Sequence, residues 1–193
     1  MFLIVLPDTP TENDLLFRLQ QGGDDAVMAV YEEYFSSLFH YARLKTGDPA
    51  LAEDIVSEVF VKLIRSLGTK AAPHSHLRGW LFRVVRNEIA THYRQTDKAK
   101  VINLEEWMPA PSDSNPDTNI GDLMEIHRMR HAIRMLNDEQ QEVLILRFGQ
   151  RLSLKETADI MDKSISAIKS LQFRAVDTLR QILIQPEREA SHG

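Results

Sequence analysis

The sequence predicts an all-α protein made of two small helical domains joined by an acidic linker. Three observations predict it. Apolar residues recur at three-four spacing almost throughout, and no segment shows the strict alternation of a half-buried strand. The chain has 193 residues, which suits two units of roughly 70 to 100 residues each. Between them, Asn103 to Asn119 holds three prolines, several Asp, Ser and Asn residues and one Trp, the composition of a tether with little regular structure. The expected boundaries are 12–97 for the first unit, 98–121 for the linker and 122–185 for the second unit.

The elements follow in order. Asp14 to Arg43 reads as one or two helices, broken near Gly22–Gly23, and Thr46 to Pro49 is a turn. In ALAEDIVSEVFVKLIRSL the apolar positions Ala52, Ile55, Val56, Val59, Phe60, Leu63 and Ile64 mark a one-sided helix. Ser66 to His76 contains Gly, Pro and small residues and is a loop, and Leu77 to Arg94 is a further helix. Beyond the linker, Asp122 to Met135 is amphipathic. Asn137 can cap a helix running through Phe148, with Gln140 in the reciprocal position, and Ser153-Leu-Lys-Glu156 is a capping box opening a short helix to Met161. Asp162 to Ser164 is a tight turn before a long helix to Ile184.

Hydrophobic residues make up 43% and charged residues 26%, ordinary for a globular protein. The absence of cysteine excludes disulfides, zinc–thiolate sites and cysteine nucleophiles. The opening MFLIVLPDTP lacks the basic leader of a signal peptide. Nothing approaches the roughly 20 apolar residues of a membrane span, so no membrane insertion is expected and the protein reads as cytoplasmic. Only about ten residues follow Leu183, too few for a further regulatory domain.

The net charge of −5 conceals segregation. From Arg65 to Lys100 there are eight Lys/Arg against two acids, whereas Val101 to Glu125 has six acids and no Lys/Arg. Such asymmetry implies separate surfaces for separate partners. On a wheel of the segment LRGWLFRVVRNEIATHYR, Leu77, Trp80, Leu81, Val84 and Val85 fall on one side. Arg83, Arg86, Asn87 and Arg94 fall roughly opposite, with Arg78 between. Cations and an amide presented together neutralise phosphates and hydrogen-bond base edges. The preceding loop adds Lys70, His74 and His76, and Lys98 and Lys100 lie beyond the helix. Trp80 belongs to the core side.

SLKETADIMDKSISAIKSLQFRA reads as helix, turn, helix, the arrangement that places a second helix in the DNA major groove. Ile165, Ile168, Ala175, Leu179 and Ile182 face inward on its wheel, and Ser166, Lys169, Ser170, Phe173 and Arg174 outward. An outward Phe among small polar and basic residues suits contact with a thymine methyl. Lys155 on the preceding helix adds a cation. His127 with His131 and His74 with His76 are histidine pairs that lack an HExxH arrangement or thiolate support, so no metal site is expected. With no Gly-rich phosphate loop and no nucleophile motif, neither a cofactor nor catalytic activity is expected. These residues alone also fit a helix-turn-helix regulator whose N-terminal helices bind a ligand or dimerise, although that leaves the arginine helix without a task.

Three motifs in this order resemble the extracytoplasmic-function (ECF, group 4) sigma factors of the sigma-70 family. TGDPALAEDIVSEVFVKLI is similar to the family's polymerase-binding segment, HLRGWLFRVVRNEIATHYR to the segment that melts and reads the −10 element, and LNDEQQEVLILRFGQRLSLKETADIMDKSISAIKSLQFRA to its −35-reading domain. The likeness spans about Leu15 to Leu183. It implies a promoter-specificity subunit whose partners are core RNA polymerase, promoter DNA (duplex at −35, single-stranded at −10) and an anti-sigma factor. It further implies that Asp54, Ser57 and Glu58 meet the polymerase, Ser57 standing where the family usually has Gln. By the same likeness Asn87 reads −10, with Lys70, His76, Arg78, Arg83, Arg86 and Arg94 around it, and the loop from Leu67 to His76 captures a flipped base. Lys169, Ser170, Phe173 and Arg174 take −35 contacts, with Lys155 and Ser166 beside them. The departure is Leu171-Gln172, where the family more often has a basic then an aliphatic residue; the wheel places Gln172 toward the core and Leu171 on its flank.

Overall fold

The structure, a computed structural model, describes residues 11–22, 24–96, 102–108 and 120–184. These residues are helical with no strand among them, and no helix is long and apolar enough to cross a membrane. Lys98, Lys100, Asp113 and Asp117 and the opening MFLIVLPDTP lie outside the described residues.

The first unit holds four helices: α1 (Glu12–Gln21), α2 (Asp24–Thr46), α3 (Pro49–Ser66) and α4 (Leu77–Thr96). Thr11 caps α1 in a reciprocal box with Asp14, and the helix ends where Gly22 turns left-handed at φ 81°. Asp48 accepts from the amides of Ala50 and Leu51, and Pro49 fills the first helical position of α3, where a missing N–H is harmless. Leu15, Leu38, Val56, Val59, Leu63, Leu81 and Val85 are buried between the four helices, and the Tyr41 and Phe82 rings meet edge to face at 5.5 Å. Ile64, grouped with the apolar stripe of α3 in the sequence, is exposed instead.

The second unit contains α6 (Ile120–Arg134), α7 (Asp138–Leu144), a π-helical turn (Ile145–Gly149), α8 (Leu154–Met161) and α9 (Ile165–Ile184). Both expected capping boxes form, Asn137 with Gln140 and Ser153 with Glu156. The helix expected to run from Asn137 through Phe148 does not continue as α-helix to that point. Past Leu144 it widens into the π turn, where the Gln150 amide reaches back five residues to the Ile145 carbonyl at 2.8 Å. Asp162 takes the left-handed conformation (φ 54°) that ends α8, confirming the turn before α9.

The linker holds one turn of helix, α5 (Leu104–Trp107), inside the stretch read as irregular. It is fastened on both sides. The Asn103 amide donates to the Leu44 carbonyl at 2.8 Å, Leu104 is fully buried, and Arg130 of α6 donates to the Met108 carbonyl. Trp107 lies over Gly149: a Cβ there would stand 3.0 Å from the indole nitrogen, so a larger residue would push the ring outward by a few tenths of an ångström. The two units therefore meet. α4 packs on α8, and the buried apolar residues of both form one continuous cluster.

Candidate nucleic-acid interface

The cations of α4 divide into two sets. Arg83, Asn87 and Arg94 are exposed along one face, free to approach an anionic strand, and Lys70, His74 and His76 are exposed on the loop before it. Arg86, expected on the same open face, and Arg78, expected between the two faces, are half-buried because they turn toward the second unit. The Arg78 guanidinium donates to the Gln150 carbonyl and sits 5.9 Å from the centre of the Phe82 ring, and its backbone amide donates to Glu12 at 3.1 Å. Arg86 Nε lies 3.9 Å from Glu142 of α7.

The loop from Leu67 to His76 is shaped by its own polar groups. Ser66 donates to the Leu63 carbonyl and Thr69 to the Ser66 carbonyl, both at 2.7 Å, while Gly68 takes φ 75°. Ala71 N–H donates to the Thr69 hydroxyl at 3.1 Å. The Trp80 indole donates to the Ala71 carbonyl at 3.2 Å. Trp80 is thus half-buried against the core, as its side of the wheel indicates, and also ties the loop to α4.

On α9, Ser166, Lys169, Ser170, Phe173 and Arg174 are all exposed on one side, with Lys155 exposed on α8 and Phe173 73% accessible. The inward side needs three corrections. Ile165, the first residue of α9, is exposed. Leu171 is buried at 4%, in register with Ile168 and Ala175 one turn to either side. Gln172, placed toward the core by the wheel, is half-buried and accepts from Arg147 Nε at 3.0 Å.

On α3, Asp54 and Ser57 are exposed and Glu58 is half-buried, 3.9 Å from Arg65. The rings of Tyr31, Phe35 and Phe39 stack along α2, and Tyr31 also meets Phe60 of α3 at 4.9 Å. This aromatic seam between α2 and α3 was not singled out from the sequence, although Tyr31, Phe35 and Phe39 at four-residue spacing signal it.

Glu142 was also missed. It is 6% exposed, and Tyr41 and Lys45 of α2 donate to its two oxygens, Lys45 at 2.6 Å. Burial alone pushes its carboxyl up, but Lys45, the Tyr41 hydroxyl and Arg86 together hold it below the ordinary value. Tyr41 is driven well above its ordinary value, first by burial and then by the Glu142 charge beside it. The clue in the sequence is an acid inside the run QQEVLIL, since an acid among apolar residues needs a partner. His127 and His131 are exposed beside Arg128, Ile182 and Leu183. Among the described residues no three His, Cys, Asp or Glu side chains group to hold a metal.

Two family models match the chain: Sigma-70 region 2 over residues 30–99 and Sigma-70, region 4 over residues 132–181. The ECF RNA polymerase sigma factor BldN of Streptomyces coelicolor is 33% identical over 177 residues, covering 91% of this chain and 67% of that one. Two solved structures share the fold. CnrH in complex with the cytosolic domain of CnrY superposes with TM-score 0.62 at 20% identity, over 88% of this chain and 94% of that one. The sigma factor RpoE in complex with the anti-sigma factor NepR, from Bartonella quintana, gives 0.57 at 22% identity, over 79% and 93%.

Proposed function

The chain belongs to the ECF sigma factors of the sigma-70 family and is a promoter-specificity subunit of RNA polymerase, and from that premise we propose how its surfaces divide the work. The helix-turn-helix regulator reading falls, because the N-terminal helices match region 2 rather than a separate ligand-binding domain.

In this division residues 12–97 bind core polymerase and the −10 element, residues 122–185 bind −35, and residues 98–121 tether the two. The polymerase docks on α3 at Asp54, Ser57 and Glu58, and the Tyr31–Phe35–Phe39 seam of α2 supplies apolar area on the same unit. Arg83 and Arg94, together with Arg78 and Arg86, neutralise phosphates of the displaced strand, and Asn87 meets a base edge. Lys70 and His76 border the loop that receives an unstacked base, which requires a shaped pocket and stacking but no chemistry. Lys169, Ser170, Phe173 and Arg174 enter the major groove at −35, with Ser166 and Lys155 on the flanking backbone. The protein acts by placement, as a non-catalytic subunit in the cytoplasm. The RpoE relative is held by an anti-sigma factor, which supports the same kind of control here.

One observation carries this reading: two exposed cation-bearing helical faces, on α4 and α9, lie in separate units that match the two promoter-reading regions of the family. The test is transcription in vitro by core polymerase on a genomic promoter pool. Addition of this protein should give a discrete set of new start sites with a common −35/−10 pair. An unchanged transcript set would overturn it.

A further inference from the structure

His76 is the residue just before α4, and its backbone is left-handed at φ 54°. That conformation is disfavoured for any residue with a Cβ, and it persists only where the surroundings over-determine it. A histidine in this place also leaves the start of α4 without the Ser, Thr, Asp or Asn that ordinarily accepts from its first amides.

The acceptor comes from α1 instead. Glu12 takes the hydrogen bond of the Arg78 backbone amide at 3.1 Å, across 66 positions of sequence. Arg78 is the second residue of α4, a position whose amide an N-cap side chain serves in most helices. The carboxylate also stands at the positive end of the α4 dipole. Glu12 is itself held in place, because the Thr11–Asp14 box fixes the start of α1 while Leu15 and Leu19 are buried. The His76 carbonyl in turn accepts the Trp80 amide at 3.0 Å, and the Trp80 indole holds the Ala71 carbonyl. The loop from Leu67 to His76 is thus tied at Ala71 by Trp80 and at its last residue by the turn that Glu12 caps.

In the function proposed above, this loop receives an unstacked base of the −10 strand. We infer that Glu12 is a positioning residue for promoter opening, a helix cap supplied from α1 that holds the left-handed His76 junction and so aims the loop. The inference rests on the assignment of that loop to −10 DNA. Glu12 acts through the junction and not by contact with the strand, since a carboxylate repels phosphate. Without the cap the Arg78 amide turns to water and His76 relaxes toward negative φ, which re-aims the end of the loop. A pocket set before the base arrives spares the ordering cost at capture. The loss therefore falls on opening and not on binding to −35 duplex.

The experiment uses the full chain, with core polymerase on a promoter found in the pool transcription above. Hydrogen exchange reports on the Arg78 amide, permanganate reactivity of unpaired thymines on opening, and retention on −35 duplex on the second unit. Glu12→Asp keeps the charge and suits the first turn of α1, but its carboxylate stops one methylene short. Exchange at Arg78 should quicken and opening should fall, each about fivefold, as expected for one hydrogen bond, with −35 retention unchanged. Glu12→Gln keeps the reach and an acceptor oxygen, and should restore most of both. A Glu12→Asp protein that loses protection at Arg78 yet opens the promoter like the wild type would overturn the inference. So would a Glu12→Gln protein as defective as Glu12→Asp. Failure of the loop assignment shows separately, in the wild type: photocrosslinks from thiothymidine in the −10 strand would then fall outside residues 67–76.

Discussion

Arg147, in the π turn, donates through Nε to the Gln172 side chain of α9 at 3.0 Å, and it also donates to the Leu152 carbonyl. This pairing settles how α9 is rotated. Leu171 goes into the core, Gln172 faces Arg147, and Lys169, Ser170, Phe173 and Arg174 remain outside. The Leu171-Gln172 departure is therefore accommodated inside the domain rather than on the face proposed to read −35.

From that rotation Arg174→Ala and Lys169→Ala should each reduce −35-dependent transcription about five- to a hundredfold, the loss expected for one phosphate or base contact of about 1–3 kcal/mol. Association with core polymerase, measured by co-purification, should not change. Gln172→Ala should have a smaller effect at every promoter alike, since it disturbs the support of the helix and not the contacts themselves. A shift in −35 preference in Gln172→Ala would contradict the rotation.

The hydrogen bond from the Trp80 indole to the Ala71 carbonyl leads to a second expectation. Trp80→Phe keeps an aromatic ring against the core but releases the loop, removing a bond of about 1 kcal/mol. Promoter opening, followed by permanganate reactivity of unpaired thymines, should fall several-fold, while binding to −35 duplex stays constant. Equal losses in both would mean that Trp80 acts only through the stability of the domain.

Much of this arrangement is legible in the chain itself. Three-four spacing gives the helices, and short-range side-chain rules give their ends: the Asn137–Gln140 and Ser153–Glu156 boxes, and the break at Gly22. These depend on residues three or four apart, which a sequence displays directly. What the sequence hides is set over longer separations. Arg86 turns away from the open face because of a carboxylate 56 positions later, and Tyr41 meets that same carboxylate across 101 positions. Ile165 and Leu171 depart from the wheel for a related reason: an ideal wheel carries no information about the helices packed around it, such as the Arg147 that draws Gln172 to itself.

The docking face on α3 gives a third expectation. Asp54 and Glu58 are four apart on one helix, so reversing both charges changes a single patch by four units. Asp54→Lys with Glu58→Lys should abolish co-purification with core polymerase. Thermal stability should change little, because Asp54 is exposed and Glu58 meets Arg65 only at 3.9 Å across a solvated surface. Retention of the double variant on core enzyme would move the docking face elsewhere.

The contact of Glu142 with Tyr41 and Lys45 across the two units makes their closure depend on pH, with a sign that can be worked out. The Glu142 carboxyl sits below the ordinary value of 4.5 when the units are closed, despite the burial that pushes it up, so its contribution is present above that pH and is lost as pH falls through the lowered value. Tyr41 sits well above its ordinary 10.0 when closed, driven chiefly by burial, so its contribution holds below that pH and is lost as pH rises beyond it. Lys45 and Arg86 face the carboxylate from α2 and α4, Asp138 and Glu139 line the cavity between the units from α7, and Tyr93 borders it from α4. Between the two limits the small-angle scattering radius should be flat. Below 4.5 it should grow before helical circular dichroism is lost, since the units part without either having to unfold. In Glu142→Gln the acid-side expansion should disappear, the radius being already large at neutral pH. A wild-type radius that stays compact until the helices themselves melt would show that some other contact, and not the charge on Glu142, holds the two units together.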